Sequence, residues 1–220
     1  MLGAHTTQRH DFTENDVHFI QAVANILTMP IGSKQTEEAE CFLAQASTIL
    51  ASTLDYGTTI EQIVRLAVPT LADWCTLDIL GEGHSRCVAV AHVDPAKEAL
   101  LWKLRRHYPL LPEGSSPGSQ ALRTRQSVLY PQFREGELPQ TTQDTDHLRL
   151  ITALAPVSVM VVPLAVHGKT IGVMTLTSIH PERSLPPADV HLTEELAGRA
   201  AIAIDNARLY REAQQAVRAR

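Results

Sequence analysis

Thiol and imidazole groups are the side chains of this 220-residue chain with the widest chemical potential. The three cysteines are Cys41, Cys75 and Cys87, and no pair of them has the Cys-x-x-Cys spacing. An odd number without that spacing argues against a disulfide framework, a structural zinc site and a four-cysteine cluster. We therefore expect buried or neutral thiols and no metal site.

Ten histidines raise the question of a metal or haem ligand, because neutral imidazole binds both. The histidines do not cluster along the sequence. His92, at the end of a predicted strand, and His147, on a predicted short helix, are the two that could meet over a sheet. A solvated or hydrogen-bonded histidine is still the expectation at both positions.

Charge and hydropathy exclude several classes of partner. The net charge is −5 and the basic residues are not gathered in one stretch, so nucleic acid is disfavoured. The longest mostly apolar stretch, residues 153–166, contains two prolines and is shorter than the about 20 residues of a spanning helix. The first residues also lack a basic and apolar signal segment. We expect no membrane span and a cytoplasmic location.

Hydrophobic periodicity and turn residues predict a mixed order of helices and strands that would position these groups. A helix over residues 36–51 is followed by one that Thr58 or Thr59 caps and that carries Ile60, Ile63, Val64, Ala67 and Leu71 on one face. After these, the prediction is a hairpin of Trp74–Leu80 and Arg86–His92, a helix from Asp94-Pro95 to His107, short helices at 119–125 and 146–154, strands at 127–131, 157–166 and 170–178, and a helix from about 188 to the end.

The last helix carries a heptad pattern, which is typical of a helix that packs on another helix. Its apolar positions are Leu196, Ala200, Ala203, Ala207, Tyr210 and Val217. A second apolar seam consists of Ala39, Phe42, Ala46 and Ile49. Because an apolar stripe beyond the edge of a sheet would face water, we predict that these two seams pair with those of a second copy in a homodimer.

One segment recurs along the chain. Asp16–Phe19 reappears as Asp189–Leu192, an offset of 173 residues (189 − 16). A repeated strand and helix cannot bury enough apolar area to fold alone. Residues 1–33 are therefore predicted to be the C-terminal remnant of a preceding copy of the same domain, with the parent protein longer than this chain.

Four segments carry a resemblance to a known family: residues 50–56, 67–75, 162–173 and 203–210. With the element order, they resemble a GAF domain of the bacterial signalling subgroup in which the module precedes a histidine kinase, a phosphatase or a cyclase. The resemblance implies an α+β fold, with an antiparallel sheet of about five to six strands flanked by helices and with long terminal helices. The predicted divisions are a connecting helix at 34–55, the GAF domain at 56–207 and a signalling helix at 208–220.

The resemblance also places a ligand pocket between the sheet and residues 92–150. The candidate lining residues are Cys75 at the floor, with His92, Tyr108, Leu122, Tyr130, His147 and Leu150 around it. For each of them, filling the core is the competing interpretation.

Cofactor motifs of related GAF domains are matched at most in part. Bilin-binding members use a Cys-His pair or an Asp-x-Cys-Phe loop, and Asp73-Trp74-Cys75-Thr76 fits only part of the second. The Asn-Lys pair of cyclic-nucleotide-binding members does not occur. The cofactor is therefore left open, with no bilin, haem or cyclic-nucleotide motif matched.

The sequence predicts a regulatory domain of a two-component sensor histidine kinase that transmits a signal through dimeric flanking helices. Its partners would be a second copy, neighbouring domains of the same chain and an unidentified small molecule. The chain has no phosphoacceptor segment, ATP lid or phosphate-binding loop, so it is not predicted to be an enzyme, and no catalytic residue is assigned. Two alternatives remain open: a free methionine-R-sulfoxide reductase using Cys75 and Cys87, and a ligand-free dimerisation spacer.

Overall fold

The computed structural model describes residues 36–53, 55–81, 85–133 and 141–218. The chain divides into two compact units, Met1–Ala44 and Gln45–Arg220. The boundary falls inside helix α1, which covers residues 36–51. The second unit contains every strand described below, whereas the domain remnant predicted at residues 1–33 lies outside the described residues.

Helix α2, Tyr56–Ala67, begins one turn earlier than the threonine caps predict. Its N-cap is Asp55, whose carboxylate accepts hydrogen bonds from the Thr58 backbone N–H at 2.8 Å and from the Thr58 hydroxyl at 2.7 Å. Thr59 is already inside the helix, where its hydroxyl donates to the Asp55 carbonyl. An ionised carboxylate is a strong acceptor for the first free N–H groups of a helix, which explains why Asp55 caps it.

All strand pairs of the sheet are antiparallel, as predicted. In the part of the chain that the structure describes there are five strands, in the spatial order β2-β1-β5-β4-β3. Their bounds are β1 Trp74–Leu80, β2 Ser85–His92, β3 Val128–Tyr130, β4 Ser158–Val166 and β5 Lys169–Ser178. The α+β class and the antiparallel sheet flanked by helices are thereby confirmed.

The remaining helices lie close to their predicted bounds. They are α3 Glu98–His107, α4 Pro117–Thr124, α5 Thr145–Leu154 and α6 Asp189–Arg218, with 3₁₀ turns at Pro95–Lys97 and Pro181–Arg183. Side chains close two of the N-termini: Asp94 accepts from the Ala96 N–H and Ser116 accepts from the Ser119 N–H. The connecting segments thus hold α3, α4 and α5 near the sheet.

Alternation along the strands gives the sheet two different faces. One face is fully buried beside α2 and α6 and includes Cys75, Leu77, Met160, Met174 and Leu176. The other face carries two separate hydrophobic clusters. The α4 cluster consists of Leu110, Ala121, Leu122, Val128, Val159, Val161 and Val173. The α3–α5 cluster consists of Trp74, Val90, Leu101, Leu104 and Leu154.

Helix α6 is buried along one side for its first five turns and exposed beyond them. Of the predicted seam, Leu196, Ala200 and Ala207 are buried within this domain, whereas Tyr210 is 46% and Val217 is 75% exposed. The exposed apolar side also includes Ile202, at 55%, and Leu209, at 49%, which the heptad pattern did not select. The exposed seam residues lie beyond Ala207, where every described residue of α6 is exposed, so the heptad runs past the part of the helix that packs within this domain.

Candidate functional site

A cavity of about 540 Å³ lies between the sheet and helices α3, α4 and α5. Its floor combines apolar and hydroxyl side chains of the three central strands, namely Trp74, Thr76, Val159, Val161, Thr175 and Thr177. Its walls include Leu104 of α3, the first residues of α4 and Ile151 of α5. A concave, mostly apolar space with a few convergent polar groups is typical of a small-molecule site.

Hydroxyl groups from two paired strands meet on the floor. Thr76 of β1 is the cross-strand partner of Thr175 of β5, and Trp74 is the partner of Thr177. The Thr175 hydroxyl and the Trp74 indole N–H are buried without a hydrogen-bond partner. Because buried polar groups are nearly always paired in folded proteins, these two groups mark a place where a partner is missing.

A buried ion pair borders the floor. The Arg105 guanidinium of α3 bonds the Asp78 carboxylate of β1, and their side chains are only 12% and 1% exposed. Burial by itself lowers the pKa of Arg105, but the Asp78 carboxylate more than offsets this effect and raises it, so the guanidinium stays charged. The two charges cancel, and the cavity acquires no net charge from Arg105.

Three side chains from two distant segments meet at the solvent side of the cavity. The Tyr108 hydroxyl donates to Asp144 Oδ1 at 2.8 Å, and the same oxygen accepts the His147 backbone N–H at 2.8 Å. The Tyr108 ring stacks on the His147 imidazole with centroids 4.1 Å apart. Asp144 thereby caps α5 and orients the tyrosine at once.

The imidazole of His147 is held neutral. Its Nδ1 accepts the Gln143 backbone N–H at 3.1 Å, so in the neutral ring the proton is on Nε2. Burial lowers the pKa of His147, and the Asp144 carboxylate only partly opposes this effect. At neutral pH the ring is therefore an uncharged part of the cavity wall.

The structure places two of the predicted pocket residues, Tyr108 and His147, in the cavity lining. Three others lie in the packing around it. Leu122 belongs to the α4 cluster and Tyr130 packs against that cluster, whereas Leu150 packs against the α3–α5 cluster. These three support the wall from behind.

Cys75 lies on the opposite face of the sheet from the cavity, and its prediction as the floor is corrected. Trp74 and Thr76 line the cavity, so strand alternation directs the side chain between them to the other face. Cys75 is fully buried there, and burial raises its thiol pKa. The thiol is consequently not placed to attach a chromophore inside the cavity.

His92 is also not among the cavity-lining residues. It is buried, its Nδ1 accepts the Asp94 backbone N–H at 2.8 Å, and its ring lies 6.4 Å from that of Trp74. The structure thus gives His92 and His147 different partners. His92 supports the indole of Trp74 from the end of β2.

The thiols near the sheet lack the features of a nucleophile. Burial raises the pKa of Cys87 to about 12, and the nearby Asp78 carboxylate adds to this effect. A reactive cysteine needs a lowered pKa in an accessible, electropositive setting. Among the residues that the structure describes, no group of three histidine, cysteine or acidic side chains is positioned to hold a metal ion.

Sequence reasoning missed the polar part of this site. Arg105 lay within the helix predicted to end at His107 but was not singled out, and neither were Asp78 and Thr175. The pattern of β1 contains a signal, because Trp74, Thr76 and Asp78 alternate with the buried Cys75 and Leu77. Three polar or amphipathic residues at every second position indicate the side of a strand that meets a polar cavity.

Comparisons with known proteins agree with this architecture. The family model described as GAF domain matches residues 55–204, which is more than half of the chain. This chain belongs to the GAF family. No curated protein matches it. In the described residues, no helix of this GAF protein is long and apolar enough to cross a membrane.

Solved structures similar to this GAF domain come from several kinds of protein. The GAF domain of a phosphoenolpyruvate-protein phosphotransferase from Coxiella burnetii matches with a TM-score of 0.61 and 14% identity, over 78% of this chain and 95% of that one. A putative GAF sensor protein from Burkholderia vietnamiensis matches with a TM-score of 0.59 and 17% identity, over 79% of this chain and 98% of that one. Free methionine-R-sulfoxide reductase from Neisseria meningitidis, solved with its substrate, matches with a TM-score of 0.57 and 16% identity, over 79% of this chain and 93% of that one. Identities this low establish the shared fold alone.

Proposed function

We propose that this chain is a cytoplasmic sensory domain of a bacterial signalling protein, of the two-component histidine kinase type. In this proposal, a small molecule binds in the cavity and changes the arrangement of the flanking helices. The observation that carries the proposal is the cavity itself, with unpartnered polar groups on its floor and a stacked Tyr108–His147 pair at its solvent side. The raised thiol pKa values of Cys75 and Cys87 speak against the reductase alternative.

A physical route connects the cavity with α6. Val159 and Val161 of β4 form part of the cavity floor, and Met160 and Val162, which alternate with them, are buried on the other face. Helix α6 packs against β4. A ligand that shifts β4 therefore changes the surface on which α6 rests, and two packing arrangements of α6 would carry the signal.

A second copy of the chain is the proposed partner of α6. The exposed apolar side chains Ile202 and Leu209 are seven residues apart, so they lie within about 20° of each other around the helix. Tyr210 and Val217 are also exposed and lie about 60–100° around the helix from the line of Ile202 and Leu209, so the exposed apolar surface is wider towards the C-terminal end. We infer a parallel pairing of two α6 helices along this surface, with residues 208–218 as the signalling helix. The α1 seam of Ala39, Phe42, Ala46 and Ile49 stays a predicted second part of that interface.

Ligand binding is tested by native mass spectrometry of the protein purified from its host. A retained small molecule is expected in the wild-type protein, and loss of it is expected in Val159→Phe, which fills the cavity. Val93→Phe is the matched control, because Val93 is 41% exposed and does not line the cavity. A protein that carries no small molecule and whose melting temperature no metabolite extract raises would support the ligand-free spacer instead.

Dimerisation is tested by sedimentation at high micromolar concentration. The wild-type protein is expected to sediment as a dimer and Ile202→Glu with Leu209→Glu as a monomer, because the charges would be buried in the interface. Gln215→Glu is the control, since this exposed position lies on the other side of α6. A wild-type protein that remains monomeric throughout would refute transmission through a dimer.

A further inference from the structure

We propose that the cavity takes an uncharged small molecule, in which an apolar body carries hydrogen-bond acceptors such as an amide or ester carbonyl. This inference rests on the proposed sensory function and adds the chemical class of the ligand. Four features of the site lead to it: the balanced charge of the walls, the occupied helix N-termini, the mixed charge of the rim and the unpartnered donors of the floor.

The interior of the cavity offers no uncompensated charge. Arg105 is the cation among the described lining residues, and Asp78 neutralises it. An anionic ligand would have to leave water without a free counter-charge, which is strongly unfavourable for an unpaired ion. A cationic ligand would meet the same cost next to a buried guanidinium.

The helix N-termini near the cavity are already satisfied by their own residues. At α4, Pro117 has no N–H, Ser119 N–H donates to Ser116 Oγ at 3.2 Å and Gln120 N–H donates to the Ser116 carbonyl at 3.0 Å. At α5, the Asp144 carboxylate occupies the corresponding position. Neither end presents the set of free N–H groups that binds a phosphate or carboxylate.

The rim of the cavity carries charges of both signs. Glu113 is an exposed lining residue, and the Arg123 guanidinium donates to the carbonyls of Pro112 and Gly114 on either side of it. Asp146, at the start of α5, pairs with Arg149 at 3.2 Å. His147 adds no positive charge, because burial lowers the pKa of its ring. The rim therefore offers little attraction to an ion of either sign, since solvated ion pairs contribute little.

Two donors on floor residues have no acceptor, and the Asp78 Oδ1 atom beside the floor is buried without a donor. The indole N–H of Trp74 is a donor only, and this residue is 94% buried (100% − 6%). The Thr175 hydroxyl is also unpartnered, and a rotation about χ1 exchanges it with the methyl group of the same lining side chain. A carbonyl oxygen of a bound molecule would satisfy such donors without bringing a charge.

Matched ligand series test the charge preference. Indole-3-acetamide, indole-3-acetate and tryptamine share one apolar body, as do benzamide, benzoate and benzylamine. Calorimetric titration of the full chain is expected to show binding of at least one amide, with a Kd at least about tenfold lower than those of its acid and amine. Tighter binding of an acid or an amine, or the absence of binding by both amides, would overturn the inference.

Two variants connect this preference to named residues. In Asp78→Asn the guanidinium of Arg105 loses its counter-charge. The affinity for the acid, relative to that for the matching amide, is therefore expected to rise about tenfold or more. Thr175→Val is expected to weaken amide binding severalfold without a lower melting temperature, because its hydroxyl has no partner to lose. Thr170→Val, on the same strand but not in the lining, is the matched control.

The outcomes separate this inference from the function on which it rests. A charged metabolite retained in native mass spectrometry, or an acid that binds best, would leave the sensory role intact and refute the uncharged class. If Asp78→Asn folds and the ratio of its affinities for the acid and the amide is unchanged, the uncharged class is also refuted. If Asp78→Asn does not fold, unchanged amide binding by Thr175→Val refutes the uncharged class instead. Protein that retains nothing and binds no probe would refute both proposals.

Discussion

Tyr108 and His147 lie face to face, with ring centroids 4.1 Å apart and planes inclined by only 7°. They come from different segments, the end of α3 and the first turn of α5, and Asp144 Oδ1 accepts a hydrogen bond from each of them. The pair is therefore a contact between two helices at the solvent side of the cavity.

Removal of the Tyr108 ring is expected to expose the cavity floor. In a Trp102→Phe background, which leaves Trp74 as the single tryptophan, acrylamide should quench the fluorescence of Tyr108→Ala more strongly than that of the parent. Tyr108→Phe is the control, because it retains the stacked ring and loses only the hydroxyl bond to Asp144. Equal quenching in all three proteins would mean that Tyr108 does not cover Trp74.

Acidification is expected to destabilise the domain below about pH 6.5. Burial lowers the pKa of both His92 and His147 from the ordinary value of 6.5, so the unfolded chain binds more protons than the folded one in this range. The contribution of these two histidines to the free energy of unfolding is therefore complete above about pH 6.5. It is lost as the pH falls from there towards their pKa values in the folded state.

Urea titrations at about pH 7.5 and about pH 5.5 measure this effect as a lower midpoint at the acid pH. His147→Gln should reduce the difference between the two midpoints, because one of the two titrating groups is removed. Identical midpoints for the wild-type protein at both pH values would contradict the prediction.

Breaking the Arg105–Asp78 pair is expected to destabilise the domain strongly. Asp78→Leu or Arg105→Met alone leaves a buried charge without a partner, which typically lowers the free energy of unfolding by about 3–5 kcal/mol. The double variant should recover most of that loss, since two apolar side chains replace both charges. Denaturant unfolding of the four proteins measures the coupling, and additive losses in the double variant would show that the pair is not coupled.

Thiol labelling should divide the cysteines into two classes. In the native protein at mildly alkaline pH, a disulfide reagent is expected to modify the exposed Cys41 quickly. Cys75 and Cys87 should react only after unfolding, because burial raises the pKa of both. Rapid modification of Cys87 in the native state would reopen the reductase alternative, and turnover of free methionine sulfoxide would then decide it.

The fold was largely predictable because strand and helix periods are properties of short segments. The bounds of β1 were predicted to the residue, and those of β4 and β5 to within one residue. The start of α2 was missed because Asp55 and the following threonines are all good caps, and the choice depends on which oxygen reaches the Thr58 N–H.

The site was less predictable because it depends on which face each side chain occupies. Cys75 and Thr76 are neighbours along β1, but Cys75 lies on the face beside α2 and α6, whereas Thr76 lies on the cavity floor. The partnership of Arg105 with Asp78 joins residues 27 positions apart, and no local pattern reveals it. Likewise, Ile202 and Leu209 were overlooked because the predicted seam followed the line of Leu196, and which line of α6 stays exposed depends on how the helix packs on the sheet.

The cavity occupies a discontinuity in the packing over one face of the sheet. The α4 cluster and the α3–α5 cluster share no buried residue, and Thr76 and Thr175 belong to neither. The helices over the two clusters therefore pack on one continuous sheet through separate sets of side chains, and in the proposed sensory role one helix would move without disturbing the contacts of the other cluster.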